Sequence, residues 1–128
     1  MIVIKERNVA RNPIARAIAK KQLNEAMLDM RIALLMMDDG ESCQPHILTI
    51  SDSIFVMATC YEMLDQKDTA EFRKLKSAMN ILTTCSETGF KWDRKWAITI
   101  DNAIGICADN WTKIPSTVFQ RAMKHILG

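Results

Sequence analysis

The strongest constraint on the fold is an apolar run between residues 26 and 37, in which only Asp29 and Arg31 are polar. Apolar residues recur along it every three or four positions, which is the spacing of helix faces. Two such faces are present: Leu23, Met27, Met30, Leu34 and Met37 on one, and Leu28, Ile32 and Leu35 on another. A helix that is apolar nearly all round is expected to be buried nearly all round. The run therefore predicts the central helix of a bundle.

Signals at both ends give this first helix its expected limits. Asn12 is a good N-cap residue, and Pro13 suits the first helical position, where an amide hydrogen is not needed. Gly40 is expected to end the helix after Asp38 and Asp39. The apolar run is shorter than the roughly 20 residues of a membrane span, so we expect no membrane association.

The remaining sequence favours helices throughout. With 4 glycines and 3 prolines in 128 residues, there is little material for the many tight turns of a sandwich or barrel. Helical periodicity and capping residues predict four more helices, over residues 50–66, 69–86, 94–109 and 117–127. We predict an all-α fold: a single-domain bundle of about five helices around a buried N-terminal helix, spanning residues 12–128, with residues 1–11 as a weakly ordered arm.

The cysteines indicate a reduced, cytoplasmic setting. Four of them stand far apart and form no Cys-x-x-Cys pair: Cys43, Cys60, Cys85 and Cys107. We expect free thiols. Cys43 and His46 have the spacing of half a zinc site, but two further ligands are missing. The acidic loop at Asp38, Asp39 and Glu41 is better explained by hydration than by a bound cation, so we expect neither metal nor cofactor.

Catalytic motifs are equally weak. Nucleophilic catalysis needs a base beside the nucleophile. The chain has only two histidines, His46 and His125, so Cys43 beside His46 is the sole local candidate, and nothing near it orients the histidine. We therefore expect no catalytic residues, and no catalytic activity.

Self-association is the leading functional hypothesis. The first and second helices both show apolar groups on more than one face. In the second helix, apolar residues at helical spacing include Ile54, Met57, Tyr61 and Leu64. Three further helices are too few to cover both, and a two-fold dimer is the commonest remedy for an uncovered patch. We expect a homodimer or another protein as partner, with Ile54, Met57, Tyr61 and Leu64 at the contact.

Charge segregation leaves a second hypothesis open. Residues 1–24 carry six basic and one acidic residue, residues 25–71 carry two basic and ten acidic, and residues 72–128 carry nine basic and four acidic. Such asymmetry attracts partners of opposite charge. The alternative function is a nucleic-acid-associated regulator that uses the basic N-terminal segment and the last helix: Arg11, Arg16, Lys20, Lys21, Gln120, Arg121 and Lys124.

Overall fold

The structure is a computed structural model that describes residues 13–40 and 43–128, with side chains from residue 25 onward except at 41, 42 and 127. Five α-helices pack together, and no strand occurs in these ranges. They are α1 (Pro13–Asp38), α2 (Cys43–Met63), α3 (Ala70–Glu87), α4 (Ala97–Asn110) and α5 (Ser116–Leu127), with a 3-10 turn at Arg94–Trp96 before α4. The predicted all-α class and the five helices are confirmed. The N-terminal arm lies outside the described residues.

Capping chemistry explains where several helices begin and end. α1 starts at Pro13, as predicted, and is followed by Gly40 at φ +90°, a conformation that glycine adopts without strain. The Thr69 hydroxyl caps α3 by accepting from the Phe72 amide at 3.2 Å, so Thr69 rather than Asp68 is the N-cap. The carboxylate of Asp93 accepts from the Lys95 amide at 3.1 Å and begins the 3-10 turn, as expected of a capping aspartate.

The start of α2 differs from the prediction by seven residues. Residues up to Pro45 were expected to form a loop, yet the helix begins at Cys43 and includes Pro45 in its first turn. Proline is tolerated there because the first amide hydrogens of a helix have no partner inside it. The side chain of Thr49, expected as the N-cap, instead donates to the Pro45 carbonyl at 3.1 Å, within the helix.

The helix at the centre of the bundle is α2. It packs against α1, α3, α4 and α5, whereas α1 packs mainly against α2 and α4. Ten of its residues are buried: Cys43, Ile47, Ile50, Ser51, Ile54, Val56, Met57, Ala58, Cys60 and Tyr61. Leu48 and Met63, on another side of the same helix, are exposed. In the described part of the chain the helix with the most neighbours is thus α2, so the predicted central position of the N-terminal helix is not supported.

One face of α1 does belong to the core. Met30 is 1% exposed and Met37 is 2% exposed, and both pack with the residues of α2. The opposite side is open: Leu28 and Leu35 lie on it, and both are exposed. Over the part of α1 whose side chains are described, the expectation of burial nearly all round is not met. Apolar periodicity identified both faces correctly, but the chain covers only one of them.

Candidate functional site

The open side of α1 is the most prominent apolar surface in the described part of the chain. Four side chains form it: Leu28 (58% exposed), Ile32 (41%), Leu35 (64%) and Met36 (39%). Ile32 follows Leu28 by four residues, and Leu35 and Met36 follow Ile32 by three and four, so the four side chains line one side of the helix. We call these four residues the α1 outer face. Scattered exposed leucines are ordinary in proteins, but a continuous row on one helix is not.

Contacts between α1 and the α4 region show how the two helices are oriented beside the α1 outer face. The Arg31 guanidinium lies 3.4 Å from the Asp101 carboxylate, and the indole nitrogen of Trp92, just before α4, donates to Asp38 at 2.6 Å. Along α1, Asp38 comes after Arg31, whereas their partners follow the reverse order, since Trp92 comes before Asp101. The two helices therefore run in opposite directions. The Arg31–Asp101 pair is half-exposed and contributes little stability, about 0–1 kcal/mol.

A further exposed aliphatic residue lies on α4. Ile98 is 71% exposed and lies one turn before Asp101, while Leu35 lies one turn after Arg31. Because the helices are antiparallel, Ile98 and Leu35 both lie on the same side of the Arg31–Asp101 ion pair along the helix axes.

The side chains predicted for self-association lie elsewhere. Ile54 and Met57 are 0% exposed and Tyr61 is 5% exposed, all inside the core of a single chain, and Leu64 packs against that core. Two folded copies cannot touch through side chains that α2 has already buried among its own neighbours. In the single chain Ile54, Met57 and Tyr61 are therefore not an exposed surface, while exposed apolar side chains are found on α1 and, at Leu48 and Met63, on α2. Met36 and Ile98 were missed, although Met36 belongs to the apolar run itself.

The predicted nucleic-acid residues fall on two separate helices. Gln120, Arg121 and Lys124 are on α5, which packs mainly against α2, and both basic side chains among them are exposed. Arg16, Lys20 and Lys21 belong to α1, but their side chains, like all of Arg11, lie outside the described residues. In the described part of the chain α1 and α5 do not pack extensively against each other.

All four cysteines are buried, and none is disulfide-bonded. Burial raises the pKa of Cys60 from 9.0 to about 11. Burial, together with the nearby charge of Cys60, raises the pKa of Cys107 from 9.0 to about 12. Cys43 and Cys85 are in hydrogen-bonding contact, and burial raises the pKa of both. A raised pKa keeps each sulfur as a neutral thiol, the opposite of what a nucleophile or metal ligand needs.

The described residues of the acidic loop, Asp38 and Asp39, and Cys43 and His46 at the start of α2 do not form a group of three possible metal ligands. Among the described residues no three His, Cys, Asp or Glu side chains come close enough together to hold an ion. Asp38 instead accepts the hydrogen bond from Trp92. A shallow cleft of about 340 Å³ lies at this end of the bundle, and its walls are Met37, Gly40, Cys43, Gln44, Gly89, Phe90 and Trp92. Among the described residues of its walls, the Cys43 thiol is the only titratable side chain.

Comparison with known protein families, curated proteins and solved structures finds no match to this chain. Across the described ranges, every helix falls short of the length and apolarity that crossing a membrane requires.

Proposed function

We propose that this protein is a helical protein–protein interaction module that self-associates through the α1 outer face. The observation that carries the proposal is the row of exposed aliphatic side chains at Leu28, Ile32, Leu35 and Met36. Contiguous patches of a few hundred Å² are about the largest that monomeric proteins leave exposed, and such patches are often functional. Burying the row removes apolar surface from water, which stabilises the assembly by about 25 cal/mol for each Å² buried.

A second copy of the chain is the partner that this surface fits best. In a two-fold dimer the same patch is used twice, so each apolar row covers its twin. The three- to four-residue spacing of the row suits side-by-side packing of two helices. In such an assembly α1 is enclosed on both sides, by α2 and α4 of its own chain and by α1 of the partner. The predicted burial of this helix is then completed by association.

Substitution of Ile32 by glutamate tests the proposal. Ile32 lies in the middle of the row and is 41% exposed, so Ile32→Glu should leave the folded monomer nearly as stable as before. In a symmetric interface the change occurs twice, at about 1–2 kcal/mol each, so the dimer dissociation constant should rise about a hundredfold. Analytical ultracentrifugation measures that constant, and circular dichroism checks the fold.

Met123→Glu provides the matched control. Met123 is 37% exposed, close to the value for Ile32, but it lies on α5, away from the helices that frame the α1 outer face. This variant should dimerise like the unchanged chain. Equal weakening by both substitutions would mean that association is not through α1, and a dimer unaffected by Ile32→Glu would overturn the proposal.

A second candidate function is favoured by α5. Arg121 and Lys124 are exposed on this helix, which contains no acidic residue. We infer that, if the chain binds nucleic acid, α5 contacts phosphates. Binding to duplex DNA should then weaken steeply as salt rises from about 50 to 200 mM. Arg121→Ala with Lys124→Ala should reduce affinity for all sequences alike. Absence of binding at low salt would exclude this candidate.

A further inference from the structure

The helices α2 and α3 pack against each other in opposite directions, joined by a short connection. Near that connection, Tyr61 lies close to Glu71: burial, followed by the nearby charges of Glu71 and Cys107, raises the pKa of Tyr61. At the far end of the pair, Cys43 in the first turn of α2 is in hydrogen-bonding contact with Cys85 in the last turn of α3. The antiparallel packing of the two helices thus places these two sulfur atoms side by side.

The two neighbouring thiols differ in their access to solvent. Cys85 is 0% exposed, whereas Cys43 is 6% exposed and forms part of the wall of the cleft of about 340 Å³. A water molecule occupies about 30 Å³, so a molecule as small as hydrogen peroxide has room beside Cys43. Cys60 and Cys107 are 0% exposed, and neither belongs to the described walls of the cleft. A small polar oxidant therefore reaches Cys43 first, with Cys85 directly behind it.

From this arrangement we propose that Cys43 and Cys85 are a redox-sensitive pair, which hydroperoxides convert into a disulfide within the chain. In the first step, the Cys43 sulfur attacks one oxygen of hydrogen peroxide. A sulfur–oxygen bond forms, the oxygen–oxygen bond breaks, and the other oxygen leaves as water with the thiol proton. In the second step, the Cys85 sulfur displaces the hydroxyl group from Cys43, which leaves as a second water with the other thiol proton. The two thiols lose two electrons, and the peroxide accepts them.

Burial makes this reaction slow without preventing it. The thiolate is the attacking form of a cysteine, and burial is the main cause that raises the pKa of Cys43 and of Cys85. Only a small fraction of either thiol is therefore ionised near neutral pH. We expect the pair to respond to sustained exposure to peroxide, while Cys60 and Cys107, which lie away from the cleft, stay reduced.

Oxidation would also change the turn that follows α3. The Cys85 thiol donates to the Lys91 carbonyl at 3.2 Å, and the Cys85 carbonyl accepts from the Phe90 amide at 2.8 Å. A disulfide sulfur has no hydrogen to donate, so the Lys91 carbonyl loses this bond. Its neighbours Phe90 and Trp92 line the cleft, and Trp92 donates to Asp38 at the end of α1. The disulfide therefore alters one wall of the cleft and the surroundings of Trp92.

Peptide mapping of the unchanged chain after treatment with hydrogen peroxide tests the proposal. The remaining thiols are alkylated in denaturant, and the chain is cleaved at basic and acidic residues, so that cleavage at Asp52 separates Cys43 from Cys60. The Cys43 peptide should be joined to the Cys85 peptide, and dithiothreitol should separate them. The peptides that contain Cys60 and Cys107 should carry the alkyl group. Tryptophan fluorescence should change on oxidation and return on reduction.

Cys85→Ala and Cys107→Ala form a matched pair of variants, because both remove a thiol that is 0% exposed. Cys107→Ala should still form the disulfide between Cys43 and Cys85, and Cys85→Ala should form none within the chain. The map of the unchanged chain decides the question even if either variant fails to fold. A disulfide that joins any other two cysteines or two chains would overturn the proposal, as would four alkylated thiols after prolonged treatment. None of these results depends on whether the chain self-associates.

Discussion

The helices α1 and α2 are both apolar on more than one face, yet α2 packs against four other helices, whereas the described part of α1 packs mainly against two. Charged residues account for much of the difference. Between residues 43 and 61, α2 carries a single one, Asp52, whereas the described side chains of α1 include Glu25, Asp29, Arg31 and Asp38. A charged side chain is costly to bury without a partner. One side of α1 therefore faces water, and the aliphatic residues on that side stay exposed.

Small side chains also distinguish the two helices. Ser51, Ala58 and Cys60 are buried on α2 and let neighbouring helices approach from several directions. The outer face of α1 has only large aliphatic residues, which are suited to packing against another large apolar surface. The comparison teaches that apolar periodicity marks faces that can be buried, while charge content and residue size decide which of them one chain covers.

The largest effect is expected from placing a charge in the covered face of α1. Met30 is 1% exposed, so Met30→Asp buries a carboxylate without a partner and should cost about 4 kcal/mol or more. That is most of the stability of a typical domain. Chemical denaturation should find the variant largely unfolded. A normal unfolding midpoint would mean that this side of α1 is not part of the core.

The same chemical change on the two helices should give very different results. Ile54 on α2 is 0% exposed, and Ile54→Ala should lower the free energy of unfolding by about 2–5 kcal/mol, since it removes buried methyl groups and leaves a cavity. Ile32→Ala on the α1 outer face should change it by about 0.5 kcal/mol or less when measured on the monomer. Equal losses at the two sites would contradict the division between a covered and an open helix.

Alkaline pH should weaken the enclosed region around α2. Burial raises the folded-state pKa of Cys60 to about 11 and that of Cys107 to about 12, while an unfolded chain ionises these thiols near 9. The folded state thus holds more protons between these values. The stability that these two thiols contribute is fully present below pH 9. It is lost as pH rises toward 12, at about 1.4 kcal/mol per pH unit for each thiol.

Urea unfolding at about pH 8 and about pH 10.5 measures this loss, and Cys107→Ala supplies the comparison. The variant should be less stable at the lower pH but should lose less stability between the two pH values, because lysine and tyrosine titration is common to both proteins. An identical pH dependence in the two proteins would show that the Cys107 thiol is not protected by burial.

A stabilising effect is expected where α4 faces α1. A methyl group added at Gly105 would meet only the tip of the Arg31 side chain, at 4.0 Å, which is ordinary contact. This position of α4 therefore has room for a larger residue. Gly105→Ala should raise the free energy of unfolding by about 0.5–1 kcal/mol, because alanine is the better helix former. A decrease in thermal stability would indicate closer packing than the structure shows.

Local signals in the sequence predicted the helices well, because their causes are local. Pro13, Gly40 and Asp93 act at the helix ends where they were expected to act. Pro45 misled because a proline in the first turn of a helix resembles a loop residue in sequence. Which helix lies at the centre depends on how five helices divide the available surface. Helical periodicity does not show how many neighbours each helix has, so the sequence did not identify α2 as the helix with the most neighbours. For the same reason the contact between copies was predicted at Ile54, Met57, Tyr61 and Leu64.

The molar mass of the chain in solution tests most directly the claim that the α1 outer face is a contact surface between copies. Light scattering over a concentration series should show about 29 kDa, twice the chain mass of 14.6 kDa, at micromolar concentration and above. The mass should fall toward 14.6 kDa on dilution and in the Ile32→Glu variant. A constant 14.6 kDa for the unchanged chain at high concentration would contradict the proposal.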